Sequence, residues 1–168
     1  LYTAYEINGP VAIRYPRGDV FNVVPNYESW QSVPVGSWTT LKSGADAYLL
    51  SMGPILDDLV QLAEDLSEAE GINVGVINTR FIKPLDTRLL DELAKLEVPL
   101  IVYEESAMIG GLGTAILEYY NETNQTVKVK RLGVPDVYVQ HGSVPVVLAE
   151  LHLSLDDIKA EINQVIKK

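Results

Sequence analysis

Glu104 and Glu105 end a short apolar run, residues 99–103, and a cluster of glycines follows at Gly110, Gly111 and Gly113. Paired carboxylates can move protons or hold a cation. They can equally cap a helix, whose free N–H groups attract negative charge. No histidine or third carboxylate lies nearby in sequence. The better reading is therefore structural, with one carboxylate capping the glycine-led helix and the other pairing with a basic residue. The glycines themselves suit a phosphate at a helix N-terminus. Their spacing is nevertheless not that of a dinucleotide fingerprint, because Ile116 stands where the last glycine belongs, and no Gly-Lys-Ser/Thr follows. Close packing of the helix on a neighbour is the simpler role.

Arg14 and Arg17 flank Pro16 at the end of a short apolar run, residues 11–15. A guanidinium fork suits a phosphate or a carboxylate, and strand ends in α/β sheets are where ligands gather. The plainer alternative is a pair of surface arginines. His141 precedes a helix start, and His152 lies in an ordinary segment; neither sits in a Ser–His–Asp arrangement. Metal-ligand spacing is absent. No residue is assigned a catalytic, cofactor-binding or metal-binding role from its pattern alone.

The 168 residues suffice for one domain and a remainder. The chain has no cysteine, which excludes disulfides, thiolate metal sites and a cysteine nucleophile and fits a reducing cytoplasm. With a formal charge of −10 and only Lys128, Lys130 and Arg131 as a basic group, read as the wet face of a strand, nucleic-acid binding is not expected. No apolar stretch approaches the ~20 residues of a membrane span, and no signal peptide is visible. Leu1 reads as part of an element already under way, so the chain is expected to be a fragment made by design or proteolysis.

The elements that must position these residues follow from periodicity. Residues 1–6 suit a helix end, and 11–15 a short strand. Residues 19–34 carry turn residues without a sustained period, as linkers do. An edge strand is expected over 35–41 and a second strand over 47–52. Pro54 suits a helix first turn, after which Ile55, Leu56, Leu59, Val60, Ala63 and Leu66 form a helical stripe ended by Gly71. A strand at 74–77, a helix capped by Asp86, the strand 99–103, the helix after Gly113 and a strand at 127–132 come next. Two helices close the chain: a short one from Ser143, and one opened by a capping box at Ser154 and Asp157. Strands alternating with helices predict an α/β, three-layer domain. Its sheet is expected to be mostly parallel and five-stranded, with one antiparallel edge strand and helices on both faces.

Four stretches, in order, resemble the C-terminal part of the 1-deoxy-D-xylulose-5-phosphate synthase family. They are Gly9-Pro10-Val11-Ala12-Ile13-Arg14-Tyr15-Pro16-Arg17-Gly18, Asn78-Thr79-Arg80-Phe81-Ile82-Lys83-Pro84-Leu85-Asp86, the run from Glu104 to Gly113, and Leu132-Gly133-Val134-Pro135-Asp136 with His141-Gly142-Ser143. The resemblance implies a transketolase-type enzyme that condenses pyruvate with glyceraldehyde 3-phosphate, releasing CO2, on thiamine diphosphate with Mg2+. It divides the chain into a remnant of the pyrimidine-binding domain (1–18), a linker (19–34) and the transketolase C-terminal domain (35–168). It implies that Arg17, with Arg14 a second candidate, meets the substrate phosphate.

By the same resemblance, the glutamate that activates the thiamine and the diphosphate site lie outside this chain. The fragment alone is therefore expected to be inactive and to bind no cofactor. Its partners would be the N-terminal and pyrimidine-binding domains and, in the full-length enzyme, a second subunit of a homodimer. The apolar run 144–147 suggests a packing contact. Transketolase and the β-subunit of a 2-oxo-acid dehydrogenase share the generic Pro-Leu-Asp and Gly-Gly-x-Gly patterns, but Arg-Tyr-Pro-Arg-Gly and Leu-Gly-Val-Pro-Asp argue against both. A non-catalytic assembly module is the remaining alternative.

Overall fold

The computed structural model describes residues 1–15 and 30–167. After a short helix α1 (Tyr2–Glu6), the chain runs β1 (Thr39–Lys42), β2 (Ala47–Ser51), α2 (Ile55–Glu70), β3 (Val74–Asn78), α3 (Thr87–Ala94), β4 (Leu100–Ala107), α4 (Leu112–Glu122), β5 (Val129–Val134), α5 (Val144–Glu150) and α6 (Leu155–Ile166). The five strands form one sheet in the order β1-β3-β2-β4-β5. Only β1 runs antiparallel, against β3, with a register irregularity between Thr40 and Lys42. The remaining pairs are parallel, with Leu49 opposite Val76 on one side of β2 and Ile101 on the other. The expected sheet, antiparallel edge strand included, is the observed one.

Alternation along the strands sends side chains to two apolar layers. Leu49, Val76, Ile101 and Tyr103 pack under α2 and α6, which contribute Leu59, Ala63, Leu66, Ile158 and Ile162. Leu50, Ile77, Leu100 and Val102 pack under α3 and α4, which contribute Leu90, Leu93, Leu112 and Ile116. α2 buries Leu56, Leu59, Ala63 and Leu66, one stripe at helical spacing, and ends where Gly71 turns left-handed at φ 70°. The Asp86 side chain caps α3 by accepting from Leu89 N. Ser154 and Asp157 form the reciprocal capping box of α6.

Three expectations need correction. Residues 11–15 are exposed and form no strand; a strand needs a hydrogen-bonded neighbour, and the described residues supply none. β1 begins at Thr39, not at residue 35, because Ser37 N turns back to Pro34 O and Gly36 has φ 76°. β5 lies two residues later than expected, and its basic residues do not share one wet face. Lys128 Nζ donates to Val165 O and Lys130 pairs with Glu161 on α6, whereas Arg131 turns to the start of α4. Most of the linker 19–34 lies outside the described residues.

Candidate functional site

The carboxyl ends of the parallel strands share one edge of the sheet. Strand order reverses between β2 and β4, the place where open α/β sheets form a crevice. At this edge β4 leads into the glycine cluster and α4.

Glu104 settles what that cluster does. Leu100 and Val102 face the α3/α4 layer, so Glu104, two residues on, faces the start of α4. Glu104 as a whole is only 5% exposed. Oε2 accepts from Leu112 N at 3.0 Å and Oε1 from Gly113 N at 3.2 Å, while Ser106 Oγ donates to Oε2 at 3.0 Å. Two of the four N–H groups that a helix leaves free at its start are thus met by a full negative charge, on the side where the helix dipole favours one. A side chain at Gly111 would collide with the carboxylate, and a Cβ at Gly133 would stand 3.1 Å from Glu104 Cγ. The glycines make room for an internal carboxylate.

Around it, Arg131 Nη1 donates to Thr114 Oγ1 at 2.8 Å and to Met108 O at 3.2 Å. Thr114 Oγ1 donates to Met108 O and accepts from Gly110 N, which closes the loop between β4 and α4. Gly113 lies beneath Arg131, where a Cβ would come within 2.7 Å of Cγ. This bears out close packing as the role of Gly111 and Gly113, whereas Gly110 has open space where a Cβ would stand and serves the turn, at φ 74°.

The expected capping by one glutamate is met by Glu104. The expected ion pair of the other is not formed: Glu105 is exposed and pairs with no basic side chain among the described residues. One residue further along the strand, it points away from α4 and from Arg131. Arg14 is exposed within residues 11–15, and Arg17 lies outside the described residues. His141 is exposed, and His152 stands 3.6 Å from Asp157 at the start of α6.

The glycine cluster does not fit a thiamine diphosphate. The helix start behind the cluster Gly110 to Gly113 is filled by Glu104, which leaves it no free N–H groups at Leu112 and Gly113 for a diphosphate. Among the described residues no group of three or more His, Asp or Glu side chains is placed to hold a metal ion. No helix among them is long and apolar enough to cross a membrane.

Sequence reasoning missed a second polar cluster. Asp86 is buried, and its other oxygen, Oδ2, accepts from Trp38 N at 2.8 Å. Trp38 Nε1 donates to Phe81 O at 2.8 Å. Arg80 Nε donates to Ser37 O at 2.8 Å, and its Nη2 to Ser37 Oγ at 2.7 Å. The available signal was the basic, proline-containing stretch 80–85 directly before the Asp86 cap. Beyond β5 the surface changes character: residues 136–146 are all exposed, among them Val137, Val144, Val146 and a Tyr138 that is 100% exposed, and α5 buries none of its residues.

Residues 36–158 match the family model described as transketolase, C-terminal domain. The chain is 40% identical to a 1-deoxy-D-xylulose-5-phosphate synthase of Listeria welshimeri over 168 residues, covering 99% of this chain and 26% of that protein. It is 42% identical to the same enzyme of Listeria innocua over 164 residues, covering 97% and 26%. The chain therefore spans about a quarter of the length of the curated relatives it matches. Among solved structures, a protein described as "Split gene transketolase, inactive beta4 tetramer" superposes with a TM-score of 0.84 at 32% identity, covering 99% of this chain and 53% of that one. A transketolase of Pichia stipitis gives a TM-score of 0.52 at 16% identity, covering 79% and 18%, a likeness of fold alone. With the sheet order, the helix layers and the matched span in agreement, this chain belongs to the transketolase C-terminal domain family.

Proposed function

We propose that the chain is the C-terminal part of a 1-deoxy-D-xylulose-5-phosphate synthase, an enzyme that condenses pyruvate with glyceraldehyde 3-phosphate and releases CO2. The supporting observation is identity of 40% across 99% of the chain to such a synthase, against 32% to the protein described as a split gene transketolase and 16% to the transketolase of Pichia stipitis. On this reading residues 1–18 end the pyrimidine-binding domain, 19–34 link, and 35–168 form the C-terminal domain of a cytoplasmic homodimer. Thiamine diphosphate and Mg2+ belong to the longer enzyme's other domains, where the cofactor supplies the carbanion chemistry. The contribution of this chain is phosphate recognition and assembly. Arg17, with Arg14 beside it, binds the phosphate of the acceptor aldehyde through its guanidinium fork. The exposed stretch 136–146, through Val137, Tyr138, Val144 and Val146, packs against a neighbouring domain or subunit. The relative described as an inactive tetramer of β chains fits a C-terminal piece that makes no product unaided.

The test is the longer enzyme, supplied with Mg2+ and thiamine diphosphate, with this chain as control. Deoxyxylulose phosphate formed from pyruvate and glyceraldehyde 3-phosphate is measured. Arg17→Ala is expected to raise the KM for glyceraldehyde 3-phosphate by about 10- to 100-fold, the worth of one lost charged hydrogen-bond pair. Turnover of ketose phosphates or of a lipoyl acceptor instead would refute the synthase reading. Product from this chain alone would refute its dependence on other domains.

A further inference from the structure

The loop 79–86 takes no part in the proposed chemistry, yet its polar groups hold the incoming chain at Ser37 and Trp38. Arg80 holds the carbonyl and the hydroxyl of Ser37 with two nitrogens of one guanidinium. Phe81 O and Asp86 Oδ2 hold the ring and backbone nitrogens of Trp38. Gly36, at φ 76°, lies against Pro84, where a Cβ would stand 2.9 Å from Cγ. The other end of the same connector is held as well. Val33 N donates to Thr3 Oγ1 at 2.9 Å, Ser32 Oγ donates to Glu6, and the rings of Trp30 and Tyr2 lie 6.1 Å apart. α1 has five residues and buries none of them. Helices shorter than ~12 residues are marginal alone in water, so α1 depends on these contacts for its shape.

We infer that the loop 79–86 is an orientation clamp. Arg80 and Asp86 are positioning residues that fix residues 34–38 on the sheet domain and, through residues 30–33, hold α1 in one orientation to it. A connector gripped at both ends transmits direction, whereas a flexible one transmits only distance. The inference stands apart from the synthase reading, because it concerns contacts made within this chain whatever reaction the longer protein performs.

The test is amide hydrogen exchange, residue by residue, on the 168-residue chain. Arg80→Ala removes both bonds to Ser37 from an exposed position. Exchange is expected to quicken about tenfold at Ser37, Val33 and Tyr5, whose amides report the turn, the connector and α1, with Leu50 and Val102 in the sheet unchanged. Arg80→Lys should behave as the alanine variant, since one ammonium cannot supply the two-nitrogen fork. Gly36→Ala, which pushes the connector off Pro84, should give the same pattern. Faster exchange at Ser37 alone, with Val33 and Tyr5 unmoved, would show a local contact and overturn the clamp. Equal quickening of the sheet amides, or the same pattern from Arg88→Ala on the far side of Asp86, would overturn it too.

Discussion

Replacing Glu104 by alanine would leave the N–H groups of Leu112 and Gly113 and the hydroxyl of Ser106 without their acceptor. Leu112 and Gly113 are buried, so water cannot fully replace the carboxylate. A hydrogen bond to a charged acceptor contributes about 1.5–3 kcal/mol. Counting the two backbone bonds and discounting for partial hydration of the emptied slot, the loss should be about 3–5 kcal/mol. Total stability for a domain is only about 5–15 kcal/mol, so such a loss would be a large share of it. With a urea m-value of about 2 kcal/mol/M, the midpoint should fall by about 1.5–2.5 M. The assay is urea unfolding followed by far-UV circular dichroism. Glu104→Gln, which keeps the volume and one accepting oxygen, should fall between wild type and alanine. Gly111→Ala, which drives a methyl group into the intact carboxylate, should also destabilise. An alanine midpoint within ~0.5 M of wild type would mean that the carboxylate does not hold the start of α4.

Other outcomes follow from the same structure. Asp86→Ala should cost about 2–4 kcal/mol, because one buried carboxylate serves both Leu89 N and Trp38 N; a red shift in the emission of buried Trp38 on urea unfolding at lower concentration would report it. Ser154→Ala should lower stability by about 1 kcal/mol by opening the capping box of α6, measured as a fall in Tm. Acid should weaken the fold. The carboxyls of Asp157, Asp91 and Glu70 are held below their usual values, chiefly by hydrogen bonds from Ser154, Gln125 and Lys159 respectively. Their contribution is whole above the ordinary values of 3.8 for the aspartates and 4.5 for the glutamate, and fades as pH falls through the lower folded ones. Urea midpoints measured from pH 6 downward should therefore drop only below about pH 5.

Most of the fold was legible because the helices carry continuous apolar stripes and recognisable ends: the Leu56-Leu59-Ala63-Leu66 stripe closed by Gly71, the Asp86 cap, the box at Ser154 and Asp157. What failed depended on neighbours. Residues 11–15 have a strand's composition but no pairing partner among the described residues. Lys128 and Lys130 read as a wet face until α6 is seen to meet them. At the candidate site, a capping glutamate was foreseen, but which of Glu104 and Glu105 it is follows only once Leu100 and Val102 are seen to face α4. The double use of Asp86 was not legible, because its bond to Trp38 spans 48 positions of sequence. Arg14 stands exposed, and Arg17, carried by resemblance alone, falls outside the described residues.

The two borders of the sheet govern how copies of this domain can stick together. Exposed strand borders invite foreign strands to pair with them, the first step towards fibrils. Here β1 is four residues long and irregular in register, and β5 is flanked by lysines already tied to α6. Neither border offers a long, flat, apolar template. The sheet resists growing sideways, and the sticky apolar surface is displaced to residues 136–146, where contact joins helices and loops rather than strands. Crowding should therefore bring copies of this domain together through residues 136–146 and not through cross-β pairing at the sheet borders.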